Sequence, residues 1–223
     1  MSSKKGALIF LHGLGDTPAG WSSLEQMLPS IRPNLKDIEY VFPHAPTIPI
    51  TINGGATMPG WFDLYDWPIA VGSKDDKDGL LRGIQQIEDE VQKLNANGIP
   101  TSKIVVGGFS QGGAVSLLSC YKRSIEPFAG CAALSAWLTL VDDIEVSEKA
   151  KQSPLFWAHG RMDDKVLYEQ QAFGVAKLKS HGIDVIIDKA YGMGHSSHPE
   201  EIEDLADFLD KTLFSSDDIM KDL

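Results

Sequence analysis

Six segments of the chain are candidate β-strands, and several of them are apolar almost throughout. They are Ala7 to Leu11, Ile38 to Phe42, Ile104 to Phe109, Phe128 to Leu134, Pro154 to Ala158 and Val185 to Ala190. Continuous apolar runs are typical of parallel strands that are covered on both faces, whereas a strand with one solvated face alternates apolar and polar residues. The pattern therefore predicts a mostly parallel sheet.

Amphipathic helical patterns lie between these strands. The clearest pattern ends at Asn97-Gly98, and its apolar stripe consists of Leu80, Leu81, Ile84, Ile87, Val91 and Leu94. A last helix is predicted from Pro199 through Leu209, with Glu200 and Glu201 in its first turn, where the helix dipole favours carboxylates. The alternation of strands and helices predicts an α/β fold with helices on both faces of the central sheet.

One segment does not fit the alternation. Residues Thr47 to Ser73 (TIPITINGGATMPGWFDLYDWPIAVGS) form a long connection rich in Ile, Trp, Pro and Gly. Its apolar content argues against disorder, and long ordered loops often carry function. Two interpretations remain open: the segment forms a hydrophobic wall for a substrate, or it packs a small core of its own.

Composition limits the classes of function. The chain has 223 residues, of which 43% are hydrophobic, and this predicts one domain over residues 1–223 with a loose acidic tail at about 215–223. A formal net charge of -11 argues against nucleic acid as a partner, because binding phosphates requires clustered positive charge.

The cysteines and the lengths of the apolar segments indicate the cellular compartment. Cys120 and Cys131 lie in apolar surroundings without metal-ligand spacing, so we expect two reduced core thiols and neither a metal nor a cofactor. No segment is apolar over the length of a transmembrane helix or a signal sequence, which predicts a cytoplasmic protein with at most transient membrane contact.

The segment VVGGFSQGGA places Ser110 between glycines. Gly108-x-Ser110-x-Gly112 follows a β-rich run and precedes helix-compatible apolar spacing. This order is typical of the nucleophile elbow of α/β-hydrolases, in which a strained serine stands at the turn from strand to helix. We therefore predict the α/β-hydrolase fold with Ser110 as the nucleophile.

A serine nucleophile requires a histidine base, and in this fold the chain order is Ser, then Asp or Glu, then His. His195, in GMGHSSHP, follows the last predicted strand and precedes the last helix, and His198 is the alternative. The other histidines are predicted to be structural. These are His12, His44, His159 and His181.

The carboxylate is expected in the loop after the penultimate strand, where PLFWAHGRMDDKV offers Asp163 and Asp164. Asp163 is favoured, and Asp164, pointing away, is expected to remain solvated. The oxyanion requires two backbone donors, for which we predict the N–H groups of Gln111, after the nucleophile, and of Leu14, in HGLGD after the first strand.

These residues resemble the acyl-protein thioesterase and lysophospholipase branch of the phospholipase/carboxylesterase group. The resemblance covers nearly the whole chain through LIFLHGLGDTPAGW, FPHAP, MPGWFD, NGIPTSKIVVGGFSQGGAVSL, LSAWL, HGRMDDKV and GMGHSS. It implies the catalytic triad Ser110, Asp163 and His195 and the oxyanion donors Leu14 and Gln111. It also implies an acyl channel near residues 47–73, and its substrate-binding residues are expected to be Met58, Trp61, Phe62, Trp137 and Leu138.

The implied function is hydrolysis of acyl thioesters through an acyl-enzyme, with S-acylated (palmitoylated) proteins as substrates. The alternative is a carboxylesterase or lysophospholipase acting on small acyl esters, and a ligand-binding hydrolase-like module is the alternative outside enzymes. The chain departs from the family's H-G-D-x-D-P-x-V-P pattern at four positions. Arg161 replaces the first Asp, Asp164 and Leu167 replace the two prolines, and Lys165 stands where an apolar residue is common. Ser2 stands where some animal members carry a lipidated cysteine, so docking by that route is not expected.

Overall fold

The computed structural model describes residues 4–122, 126–183 and 186–214. Its central sheet contains six parallel strands in the order β2-β1-β5-β6-β7-β8. These strands are β1 (Ala7–Leu11), β2 (Glu39–Val41), β5 (Ile104–Phe109), β6 (Gly130–Leu134), β7 (Leu155–Gly160) and β8 (Ile186–Tyr191). The prediction of a mostly parallel sheet is confirmed, with strand ends shifted by one or two residues.

Within the described ranges, five α-helices cover the sheet. They are α1 (Leu24–Ile31), α2 (Lys77–Ala96), α3 (Gln111–Lys122), α4 (Glu169–Ser180) and α5 (Pro199–Phe214). Alternate residues of the strands face two separate cores, one beneath α2, α3 and α4 and the other beneath α1 and α5. Because both faces are covered, the central strands carry apolar residues throughout. No helix within the described ranges is long and apolar enough to cross a membrane.

The long connection contains regular structure that its sequence did not predict. An antiparallel hairpin forms from β3 (Thr47–Ile50) and β4 (Ala56–Pro59), separate from the central sheet. Prolines within TIPI and ATMP mask the strand pattern, and a two-stranded ribbon tolerates them because it consists of edges. Ile50 is buried against the main core, so the hairpin is anchored to the domain rather than forming an independent core.

The predictions on the cysteines and on the acidic tail can now be compared with the structure. Cys120 and Cys131 are buried free thiols, as predicted. The acidic tail predicted at about 215–223 and the first residue of the strand predicted from Val185 lie outside the described residues.

Candidate active site

Ser110 occupies the turn between β5 and α3 in a left-handed backbone conformation, with φ of 54°. Steric contacts require glycine at the two flanking positions, Gly108 and Gly112. A Cβ on Gly108 would lie 2.5 Å from the backbone carbon of Gly112, and one on Gly112 would lie 2.2 Å from the backbone oxygen of Leu11. Strand and helix approach so closely that only glycine fits, and the serine between them bears the strained φ.

Three side chains from separate loops meet at this turn. Ser110 Oγ lies 2.9 Å from His195 Nε2, and His195 Nδ1 lies 2.7 Å from Asp163 Oδ2. Asp163 follows β7 and His195 follows β8, so parallel strands deliver all three groups to the same edge of the sheet. The residues selected from the sequence as nucleophile, base and acid are thus in hydrogen-bond contact.

The carboxylate of Asp163 is fixed on both oxygens. Oδ1 accepts the backbone N–H groups of Lys165 and Val166, each at 2.9 Å, while Oδ2 accepts from His195. Burial by itself would raise the pKa of Asp163, but these hydrogen bonds and the charge interaction with His195 outweigh it and hold the pKa below its ordinary value. The group therefore remains ionised and orients the imidazole.

The backbone of the loop after β1 runs close to the nucleophile. A Cβ on Gly13 would lie 3.3 Å from Ser110 Cβ, so glycine permits the approach. The N–H of Leu14, the next residue, donates to no acceptor among the described residues. Gln111 is the first residue of α3, where N–H groups lack an intrahelical acceptor. Two N–H groups without a described acceptor therefore belong to residues next to the nucleophile turn, and their role as oxyanion donors stays a prediction.

The side chain of Gln111 has a role that the sequence did not reveal. Its Nε2 donates to the backbone oxygen of Phe62 at 2.7 Å, and its Oε1 accepts the N–H of Trp61 at 3.1 Å. Both bonds are buried. The amide thus ties the connection after β4 to the nucleophile turn.

A cleft of about 500 Å³ opens at Ser110 and His195. Its aromatic lining residues are Trp21, Trp67 and Phe109. The ring of Phe109 contacts that of His195 at 4.7 Å and that of Trp21 at 5.2 Å between centroids. Sequence reasoning missed these three residues, although Trp21 ends HGLGDTPAGW and Phe109 lies within the nucleophile motif.

The five residues expected to bind the acyl chain lie elsewhere. Trp61 and Phe62 are fully buried in the core, and Met58 is half-buried in β4. Trp137 and Leu138 are buried and line a second cavity of about 310 Å³, which residues 70–73 also line. None of the five lines the cleft at Ser110.

His12 and His44 bind backbone groups. His12 Nδ1 donates to the backbone oxygen of Gly13 at 2.8 Å, and its Nε2 accepts the N–H of Ala45 at 3.2 Å. Burial lowers the pKa of His12, so the ring is neutral with the proton on Nδ1. His44 Nδ1 lies 2.7 Å from the oxygen of Ala45. This pair joins the loop after β1 to the segment after β2.

Two further histidines also bind backbone oxygens. His159 Nε2 donates to Val166 at 2.9 Å beside the Asp163 loop, and burial lowers the pKa of His159. His181 Nδ1 contacts the oxygen of Lys177 at 2.9 Å and caps α4.

His198, the alternative base, caps α5 instead of meeting Ser110. Its Nδ1 accepts the N–H of Glu200 at 3.2 Å, and its own N–H donates to Glu201 Oε2 at 3.3 Å. Its ring stacks on that of Tyr191, with 5.9 Å between centroids. Glu201 is fully buried, and burial raises its pKa to about 8.

The covered parallel sheet and the strained serine held against a histidine and an aspartate define a protein of the α/β-hydrolase class. The model of the phospholipase/carboxylesterase family matches residues 1–213, and the chain belongs to this family.

Related proteins agree with this assignment. Acyl-protein thioesterase 1 of Cryptococcus neoformans var. neoformans serotype D is 41% identical over 224 residues, covering 92% of each chain. The Mycosarcoma maydis protein of the same name is 42% identical, over 92% of this chain and 90% of its own. Among solved structures, Arabidopsis thaliana SOBER1 superposes with a TM-score of 0.86 at 30% identity, covering 93% of this chain and 99% of its own.

Proposed function

We propose that this protein is a serine hydrolase that cleaves acyl thioesters, with S-acylated cysteines of proteins as its substrates. The observation that carries the proposal is the pair of hydrogen bonds from Ser110 Oγ to His195 Nε2 and from His195 Nδ1 to Asp163 Oδ2. Relatives named acyl-protein thioesterase, at about 40% identity, support the thioester as the bond cleaved.

Acylation begins when His195 Nε2 accepts the proton of Ser110 as Oγ attacks the acyl carbonyl carbon. Asp163 keeps the other proton on Nδ1, which leaves Nε2 free to act as a base. The carbonyl oxygen acquires negative charge, and we assign the N–H groups of Leu14 and Gln111 as the donors that stabilise it. Each such donor contributes about 3 to 4 kcal/mol to lowering the barrier.

Collapse of the tetrahedral intermediate expels the cysteine sulfur and leaves the acyl group on Ser110 Oγ. A thiol has a pKa near 8.5, so its thiolate leaves with little need for protonation. The departed thiolate, or solvent, then takes the proton that His195 Nε2 received from Ser110, so the imidazole is neutral again. Water attacks the acyl-enzyme while His195 Nε2 accepts its proton, and His195 returns that proton to Ser110 Oγ as the acyl group leaves. Release of the fatty acid restores the hydroxyl.

The acyl chain is proposed to begin against the aromatic lining of the cleft, which consists of Trp21, Trp67 and Phe109. Longer chains then extend towards the cavity lined by Trp137 and Leu138, on the other side of segment 67–73. Under this proposal, Trp61 and Phe62 support the site through their bonds to Gln111 rather than contacting the chain.

The test is the hydrolysis of an S-acylated peptide by wild type and by Ser110→Ala. We expect turnover to fall by at least about a thousandfold in the variant, because no other described nucleophile contacts His195. A fluorophosphonate probe should label wild type and not the variant. Turnover by Ser110→Ala at the wild-type rate would refute the assignment.

Hydrolysis of oxygen esters is the second candidate, supported by His195 Nε2, which lies within reach of Ser110 and can protonate an alkoxide leaving group. Matched thioesters and oxygen esters of one acyl length would decide between the two functions. A cytoplasmic location belongs to the same proposal, and the free thiols of Cys120 and Cys131 support it.

A further inference from the structure

The cleft at Ser110 contains one fixed positive charge. Lys165 lines it together with Trp67, and the lysine side chain is 53% exposed. Among the described lining residues it is the one lysine or arginine. A cation close to the aromatic side chains of the cleft is unexpected for a site that binds an acyl chain alone.

The backbone of Lys165 is held from both sides. Its N–H donates to Asp163 Oδ1 at 2.9 Å, and its oxygen accepts the N–H of Ile69 at 2.7 Å. The next residue, Val166, forms a parallel bridge with Ile69. Lys165 is therefore fixed between the carboxylate that orients His195 and the segment that carries Trp67.

Neighbouring carboxylates leave this ammonium group available. Asp164 Oδ2 lies 3.4 Å from Lys165 Nζ, but the Asp164 side chain is 77% exposed, and such pairs contribute little binding energy. Asp163 is engaged by His195. Asp16 also lines the cleft, on the loop after β1, where its Oδ1 accepts the N–H of Thr17 at 2.7 Å.

We propose that Lys165 makes the enzyme prefer S-acylated peptides with an acidic side chain next to the acylated cysteine. This inference rests on the proposed function, because it concerns the same cleft and the same scissile thioester. When the thioester carbon is at Ser110, the residues flanking the cysteine lie one Cα step, about 3.8 Å, away along the peptide. A carboxylate there enters the volume into which Lys165 projects.

The net charge of the protein acts in the opposite direction at long range. A charge of -11 repels an acidic peptide before contact and attracts a basic one. At about 0.15 M salt the Debye length is about 8 Å, so the long-range field is screened while a contact pair in a cleft is screened less. Specificity is therefore to be measured at that ionic strength.

The experiment uses three S-decanoyl peptides of identical sequence except for Glu, Gln or Lys on both sides of the cysteine. The readout is the ratio of kcat/KM for the Glu peptide to that for the Gln peptide. We expect about a fivefold preference for Glu in wild type, the upper end for a partly exposed ion pair. Lys165→Arg should keep the preference, Lys165→Met should reduce the ratio to about one, and Lys165→Glu should favour the Lys peptide.

Lys179→Met is the matched control, since Lys179 is an exposed lysine at the end of α4 and does not line the cleft. It makes the same change in net charge and should retain the wild-type ratio. A wild-type ratio near one, or a preference that survives Lys165→Met, would overturn the inference while leaving thioester hydrolysis intact. If wild type hydrolysed none of the peptides, the proposed function itself would fail.

A second comparison tests whether the negative charge that Lys165 binds belongs to a lipid rather than to a peptide. Its two substrates are oxygen esters, monoacylglycerol and its phosphate. A Lys165-dependent preference confined to the phosphate would overturn the acidic peptide as the substrate.

Discussion

The indole N–H of Trp61 donates a buried hydrogen bond of 2.8 Å to the backbone oxygen of His12. His12 lies two residues before Leu14, whose N–H is one of the two proposed oxyanion donors. The backbone N–H of Trp61 is bound at the same time by Gln111, which follows Ser110. One tryptophan therefore connects the loop after β1 with the nucleophile turn, and so fixes the distance between the two proposed oxyanion donors.

Trp61→Phe should lower kcat about tenfold for short-chain and long-chain substrates alike. The substitution keeps a buried ring but removes the bond to His12, which contributes about 1 kcal/mol and fixes the loop. If Trp61 contacted the acyl chain instead, the loss would be confined to long-chain substrates. Steady-state kinetics with acetyl and decanoyl thioesters separate the two cases.

Asp163→Asn should lower kcat by about three to four orders of magnitude without unfolding the protein. The amide no longer holds the proton on His195 Nδ1, so the ring loses its tautomer and its charge partner. Asp164→Asn is the matched control, because that side chain is largely exposed and does not meet His195. Equal losses in the two variants would show that the acid had been assigned wrongly.

Gly112→Ala should lower the free energy of unfolding by about 2 kcal/mol, because its Cβ would lie 2.2 Å from the backbone oxygen of Leu11. The strand and the helix would have to separate, so labelling of Ser110 should also slow. Gly192→Ala, whose Cβ would meet no atom within 4 Å, should change stability by less than about 0.5 kcal/mol. Urea titrations of both variants provide the measurement, and equal midpoints would contradict the contact argument.

Trp21→Leu and Trp137→Leu should change acyl-length preference differently. Trp21 lines the cleft at Ser110, so its loss should reduce kcat/KM about tenfold for octanoyl and palmitoyl thioesters alike. Trp137 lines the second cavity, so its loss should affect palmitoyl and spare octanoyl. An effect of Trp137→Leu on octanoyl turnover as large as that of Trp21→Leu would place the start of the chain elsewhere.

Glu201→Gln should remove a pH dependence of stability. The folded protein keeps the Glu201 proton up to a pKa of about 8, whereas the unfolded chain releases it near 4.5. Between these values the folded state binds one more proton, so wild-type stability falls as pH rises, by on the order of 5 kcal/mol at most. Glutamine retains an acceptor for the N–H of His198 without the charge.

Thermal unfolding at pH 5 and pH 8.5 measures this difference. Wild type should lose more stability than Glu201→Gln over that interval. Glu200→Gln is the control, since Glu200 is exposed in the same first turn of α5. Parallel curves for wild type and Glu201→Gln would show that the buried carboxyl is already ionised at low pH.

The contacts among Ser110, Asp163 and His195 could be anticipated because local signals fix each residue. Continuous apolar strands indicate a parallel sheet, and parallel strands bring the loops at their carboxyl ends to one edge. The glycines around Ser110 specify the turn, and the chain order Ser, then Asp, then His selects Asp163 and His195 from the remaining candidates. Each step depends on a short pattern or on topology.

The lining of the cleft could not be anticipated, because it depends on packing between distant segments. Trp21 and Trp67 lie far apart in the chain, and only the folded structure shows that both line the cleft at Ser110. Trp61 shows the reverse case: an apolar residue in a loop suggests a substrate wall, yet its N–H groups bind His12 and Gln111. The β3–β4 hairpin was hidden by its prolines.

His195 is separated by 85 residues from Ser110 and by 32 from Asp163 along the chain, and each of the three stands on a different strand-to-helix connection. The reactivity of the Ser110 hydroxyl is therefore a property of the assembled sheet and of no single segment. A covalent serine probe applied during a denaturant titration would measure the fraction of correctly folded molecules. For this protein, an activity-based label would serve equally as a quantitative folding assay in crude mixtures.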